Sequence, residues 1–237
     1  MLKSQRSLLK GGGKFAQQVT KGTPDAIARE LKKLPESAGG SLGFRKRALH
    51  DLTNALVNVQ EAHEKPVCEV CEKEGAVALI ATLVADAAAS PDPEGASSAE
   101  NKIKIGRREL VMGALETRLY ALTSLVNLIY IGGGKLFHDN GGAGVDLLLD
   151  AVLSPDGPET EALLFYAAAG CFNLSNTPAF AAAASGKPGF HARLQQLTGS
   201  SSADMVKFVE GILSNCKHHA AAPVTFNLPT PGLFTVG

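Results

Sequence analysis

The sequence predicts an all-α protein built from about four similar units, each the length of a helical repeat. Three observations carry that prediction. Apolar residues recur at helical spacing almost throughout, and no alternating stretch bounded by hairpin turns appears. Four long helical segments each carry an asparagine near the C-terminal end, at Asn58, Asn127, Asn173 and Asn215. Each long segment is preceded in the same order by a short helix, a medium helix and a polar break.

The long segments come first because their patterns are clearest. In RKRALHDLTNALVNVQEA, from Arg45, the residues Leu49, Leu52, Leu56 and Val59 share one stripe. ETRLYALTSLVNLIYI does the same with Leu119, Leu122, Leu125 and Ile129. EALLFYAAAGCFNLSN is a third such helix, and ADMVKFVEGILSNCKHH a fourth, with Val206, Val209 and Leu213. The asparagines lie 69, 46 and 42 residues apart. The last two spacings match one period of about 40–47 residues. The first is one period plus about 25 residues. AAASPDPEGASSAENKIKIGRRE supplies them: rich in Pro, Gly and Ser, then basic, it predicts a solvated inserted loop over residues 88–108.

In the first unit GGGKFAQQVTKG leads to TPDAIARELKKL and the break PESAGGSLG. Thr23 suits an N-cap and Pro24 the first helical position, where its missing N–H costs nothing. The second unit runs KPVCEVCEKEG, AVALIATLVADA and the insertion. The third runs GGGKLFHDNGG, VDLLLDAVL and SPDGPE; the fourth runs TPAFAAAASG, KPGFHARLQQL and TGSSSA. The chain thus divides into a basic segment over 1–11, a repeat body over 12–218 and a Pro-containing extended tail over 219–237.

The twice-written GGGK has two explanations. A phosphate-binding loop needs G-x-x-x-x-G-K followed by Ser or Thr, between a strand and a helix. Here Phe15 follows Lys14 and Leu136 follows Lys135, and no strand precedes either. Both stretches instead stand just before the short helix of a unit. There glycine permits the positive φ that ends one helix and opens the next.

Apolar residues make up 45% of the chain and charged residues 19%, which fits a globular protein. Net charge is zero, so no global field attracts nucleic acid or an anionic membrane. Aromatics are 5% with no Trp, leaving few platforms on which bases could stack. The longest apolar run, Leu119–Ile131, is broken by Thr123, Ser124 and Asn127 and falls short of the roughly 18 residues of a membrane span. Four cysteines, two of them isolated, do not form a disulfide framework and point to a reducing compartment. Lys3, Arg6, Lys10, Lys14 and Lys21 precede the first acid, Asp25. Such a segment resembles an organelle transit peptide, or is a basic first turn.

The third unit, GAGVDLLLDAVLSPDGPETEALLFYAAAGCFNLSN, resembles an armadillo repeat: a Gly-started second helix, a polar break with Pro, and an Ala-rich third helix ending in N-L-S. The likeness extends over residues 12–218. It implies a right-handed α-solenoid of about four three-helix repeats, with one inserted loop and an extended C-terminal tail. It also implies that the third helices line a concave groove, in which Asn58, Asn127, Asn173 and Asn215 hydrogen-bond an extended peptide. Where peptide-transport members of the family place Trp, four residues before the Asn, this chain has Asn54, Thr123, Ala169 and Gly211. The resemblance therefore does not extend to a grip on lysine-rich signals. Asn54 and Thr123 are included among the candidate groove contacts. On physics alone each Asn has two possible roles: matching a partner's backbone with its amide, or capping local carbonyls.

The remaining constellations carry less. Cys68 and Cys71 have CxxC spacing, but zinc needs two more ligands and redox chemistry wants a strand–helix setting, so two buried small residues on a short helix are expected. His218 and His219 point apart on a helix and complement its C-terminal dipole. His63–Glu64 is the one His-Glu pair, and no G-x-S-x-G occurs. Lys102, Lys104, Arg107 and Arg108 form a basic run, expected on a solvated loop.

The expected function is a non-enzymatic scaffold or adaptor, monomeric or part of a hetero-complex, that binds a protein or extended peptide with no cofactor or metal. Nucleic acid and a membrane span are not expected. Alternatives are a structural subunit of a cytoskeletal or axonemal assembly, a chaperone nucleotide-exchange factor, and an enzyme. The expected location is cytoplasmic, with nuclear, cytoskeletal or organellar placement as alternatives.

Overall fold

A computed structural model describes residues 22–38, 42–88, 100–139, 142–157 and 160–221. Among them the secondary structure is helical, and the one β feature is a single parallel bridge between Gly22 and Val59. The segment 1–11, the first GGGK stretch and residues 222–237 lie outside the described residues, as do residues 89–99 of the expected loop.

Helix α1 spans Pro24–Ala38. Thr23 Oγ1 accepts from the Ala26 N–H at 3.4 Å, and Pro24 stands first in the helix, as its sequence predicts. The expected stop at Pro35 does not occur. α1 continues one turn past it, and Ser37 Oγ donates to the Leu34 carbonyl at 2.8 Å. Ile27, Leu31 and Leu34 are buried on one stripe, and that burial holds the helix through the proline. Helix α2 (Leu42–Val57) buries Leu49, Leu52 and Leu56. A 3₁₀ turn at Glu61–His63 leads into α3 (Glu64–Lys73), followed by α4 (Ala76–Ala88).

Helix α5 spans Glu100–Tyr130. Residues 100–108, expected in the loop, are therefore helical, and the basic run of Lys102, Lys104, Arg107 and Arg108 belongs to the start of a long helix. Glu, Lys and Arg are good helix formers, and the last proline before them is Pro93, so nothing stops α5 from extending back.

A 3₁₀ turn at Gly133–Lys135 follows, then α6 (Leu136–Asp139), α7 (Ala143–Val152), α8 (Glu161–Leu174), α9 (Pro178–Gly186), α10 (Phe190–Leu197) and α11 (Ala203–Ala221). The second GGGK is a helix-to-helix turn. Gly132 adopts φ 95°, and a Cβ on Gly133 would stand 2.7 Å from Leu128 Cδ1, so the turn requires both glycines. The buried stripe of α11 is Met205, Val209, Ile212 and Cys216, one position off the expected face; Val206 and Leu213 flank it, half-buried.

The long helices pack in chain order: α2 on α5, α5 on α8, α8 on α11. The medium helices follow the same order, α1 on α4, α4 on α7 and α7 on α10, and each medium helix also packs on the long helix that follows it. Small residues allow the close crossings. Gly170 of α8 faces Leu148 and Val126, and Ala167, Ala168 and Ala169 are fully buried beside it. Between α2 and α5 the crossing is polar: Thr53 Oγ1 and Ser124 Oγ lie 2.7 Å apart, and Thr53 also donates to a backbone carbonyl. One contiguous core runs through all four pairs of helices.

Candidate functional site

The four asparagines occupy the C-terminal ends of the four long helices, and the structure gives them different roles. Asn58 is exposed, and its Nδ2 donates to the Asn54 carbonyl of its own helix at 2.7 Å. It caps locally. Asn54 is half-buried, with Nδ2 3.2 Å from a ring nitrogen of His50. The His50 ring stands edge-on to Tyr120 of α5, with centroids 5.2 Å apart.

Asn173 and Asn215 bond to residues at the end of the neighbouring long helix. The Asn173 side chain hydrogen-bonds Tyr130 of α5; burial raises the Tyr130 pKa and this bond opposes the rise. Asn215 Nδ2 donates to Ser175 Oγ at 2.8 Å, and Ser175 immediately follows α8. Both partners lie just beyond the asparagine of the preceding long helix. The corresponding stretch ahead of Asn127 is Gln60–Glu61, and no such bond forms. Asn127 is 1% exposed, and neither its Nδ2 nor its Oδ1 has a hydrogen-bond partner.

Thr123, expected beside Asn127 as a contact, is 2% exposed, and its hydroxyl donates to the Leu119 carbonyl at 2.7 Å. The six candidate contacts differ in exposure. Asn58 is exposed, Asn54, Asn173 and Asn215 are half-buried, and Thr123 and Asn127 are enclosed. The enclosure has a plain cause: α5 is the central helix, packed by α2 on one side and α8 on the other, so its flanks are covered.

The absence of Trp four residues before each Asn also has a structural reason at the last unit. A Cβ on Gly211 would stand 2.3 Å from Cε2 of Phe172. The neighbouring helix already fills that space with an aromatic ring.

Three further features were not read from the sequence. Gly75, Gly142 and Gly189 all adopt positive φ and stand immediately before α4, α7 and α10. One turn device therefore starts three medium helices. It is legible as a Gly directly ahead of these three helices, the one before α7 having been read above, whereas α1 begins after Thr23. Arg193 of α10 reaches back to the preceding unit. Its Nη2 and Nη1 contact the two carboxylate oxygens of Asp156 at 2.6 and 3.0 Å, and its Nε and Nη2 donate to the Val152 and Ser154 carbonyls. The Arg193 hydrogen bond lowers the Asp156 pKa. Arg45, in the first turn of α2, is 9% exposed with Nε and Nη1 lacking an acceptor.

Among the described residues no group of three or more His, Cys, Asp and Glu is placed to hold a metal, and no helix is long and apolar enough to cross a membrane. A cleft of about 240 Å³ opens beside Phe137, His138, Val145 and Asp146, below the roughly 300–1,000 Å³ of ordinary ligand pockets.

The cysteines are free, and burial raises every thiol. Cys68 is pushed up to about 11 and Cys71 to about 12, mainly by burial, and Cys68 donates to the Ile131 carbonyl at 3.2 Å. The nucleophile and metal ligand is the thiolate, so neutral thiols here suit packing. At pH 8 the native chain is expected to resist a disulfide-exchange reagent at all four positions, with full reaction in denaturant. Prompt native labelling of Cys71, Cys171 and Cys216 would contradict their burial. Because the folded pKa values are raised, the thiols' contribution to stability is intact below pH 9 and declines as pH rises from there through 11–12.

The chain matches no family model, no curated protein and no solved structure.

Proposed function

We propose that the chain is a non-enzymatic, armadillo-like solenoid that holds another protein, or an extended stretch of one, along the row of its long helices. The order of packing supports the solenoid part. Equivalent helices contact equivalent helices, and a chain of units that each bury one face against the next is how repeat proteins acquire a core. The same glycine turn before three medium helices, and the cross-unit bonds of Asn173 and Asn215, support a common unit plan.

Asn127 carries the binding part. An amide with both polar atoms buried and unpartnered costs roughly 1–3 kcal/mol. The other three in the row, Asn58, Asn173 and Asn215, have partners. An amide offers both a donor and an acceptor, the complement of a peptide group. Binding at Asn127 therefore supplies hydrogen bonds that the free chain lacks, and it requires α2 and α8 to part where they cover the amide.

The test begins with affinity capture by the full chain from native cells and identification of the retained protein. Asn127→Leu is expected to weaken that protein's binding by about tenfold or more, since 1.4 kcal/mol is one decade. Lys135→Ala is expected to leave it unchanged, because Lys135 closes a structural turn. Binding that survives Asn127→Leu, or that is lost with Lys135→Ala, would overturn the proposal.

A further inference from the structure

The seam between α8 and α11 carries a cluster of half-buried aromatic rings. Phe165 and Phe208 have centroids 5.5 Å apart, Phe172 and Phe208 5.7 Å, and Phe165 and Tyr166 5.9 Å. All four pack on the core from outside it and remain partly exposed. Gly211 lies against Phe172, so that ring is seated on bare α11 backbone and holds the two helices close at the seam. The seam continues to Asn215 and Ser175 and then along α11 to Ala221.

At that point the sequence changes character. Residues 222–237, APVTFNLPTPGLFTVG, contain no charged residue and three prolines. Proline excludes helix continuation and favours extended backbone. Val224, Phe226 and Leu228 alternate with Thr225 and Asn227, and Phe234 and Val236 share the same parity. In extended backbone, alternate side chains face one way, so Val224–Leu228 would present one apolar edge and one polar edge.

The lengths agree. Phe208 stands roughly 20 Å back from Ala221 along α11, at about 1.5 Å per residue. Extended chain at about 3.3 Å per residue covers that distance between Phe226 and Leu228. An uncharged strip with an aromatic at that register matches a cluster built from rings.

We infer that the aromatic seam of α8 and α11 is a docking surface for an extended, uncharged apolar segment, and that its occupant is this chain's own residues 222–237, laid back antiparallel to α11. The segment thereby covers the last long helix, which has no following unit to pack against among the described residues. Rings stacked across the seam provide specificity through their edge-to-face arrangement.

The test uses the full chain with p-benzoylphenylalanine in place of Phe208 and, separately, of Phe165. After irradiation at low protein concentration, peptide mass spectrometry is expected to find crosslinks within one chain from both positions to residues 222–237. Adding Phe226→Asp and Phe234→Asp is expected to reduce that yield about tenfold or more. Crosslinks between copies that grow with concentration would instead identify a second copy as the occupant and overturn the inference. Crosslinks from neither position to 222–237 would overturn it too. The unmodified chain gives an independent measure. Chymotrypsin cleavage after Phe226 is expected to be at least about tenfold slower than in a free peptide of residues 222–237. Equal rates would contradict docking.

Discussion

Replacing Gly22 by alanine is expected to destabilise the chain by about 3 kcal/mol, at the upper end of ordinary point substitutions. A Cβ there would stand 2.2 Å from the backbone carbon of Asn58 and from the Val59 nitrogen, and 2.3 Å from the Asn58 oxygen. Backbone atoms cannot rotate aside as a side chain can. The Gly22–Val59 bridge must open, and with it the start of α1 moves off the end of α2. Ile27, in the first turns of α1, is fully buried and moves with it. For a chain of this length the thermal midpoint should fall by roughly 6–12 °C. Gly186→Ala is the control. Nothing lies within 4 Å of a Cβ at Gly186, which ends α9, so the expected change is near zero or a small gain. Equal midpoints for the two variants would contradict the close approach at Gly22.

Asparagine-to-leucine substitutions along the row should differ in sign. At Asn127 leucine keeps the branching and number of heavy atoms and removes two buried polar atoms without partners, so stability is expected to rise by about 1–2 kcal/mol. At Asn173 and Asn215 the same change removes a bond to Tyr130 or to Ser175. Each is expected to lower stability by about 1 kcal/mol. Chemical denaturation of the three variants checks the pattern. A rise at Asn127 together with weakened partner capture would mark a residue retained for binding at a cost in stability. A fall at Asn127 as large as the others would show that its amide is satisfied in solution.

Much of the fold was legible because helical periodicity and unit spacing are local signals. Leu49, Leu52 and Leu56 fell where the pattern put them, and Thr23–Pro24 began α1 as capping chemistry predicts. Two elements were misread for related reasons. Pro35 and the polar stretch over 100–108 look like breaks, yet helix continues through both, since packing and good helix formers outweigh a local signal. The site was less legible. The four asparagines are equivalent in sequence, but their partners are set by residues about forty positions away, such as Ser175 for Asn215. Nothing within LVNL distinguishes the enclosed amide of Asn127 from the exposed cap of Asn58. Likewise the Arg193–Asp156 contact between units is invisible until α10 is placed on the end of α7.

The central claim is that the Asn127 amide is a binding group that the free chain leaves unpartnered. It is tested most directly by the side-chain NH₂ resonances of the ¹⁵N-labelled chain, assigned to Asn127 by their loss in Asn127→Leu. On saturation with the captured partner, the Asn127 pair is expected to shift and to exchange more slowly with solvent, while the Asn58 pair, already bonded to its own helix, stays in place. Asn127 resonances unmoved by a partner that demonstrably binds would contradict the claim.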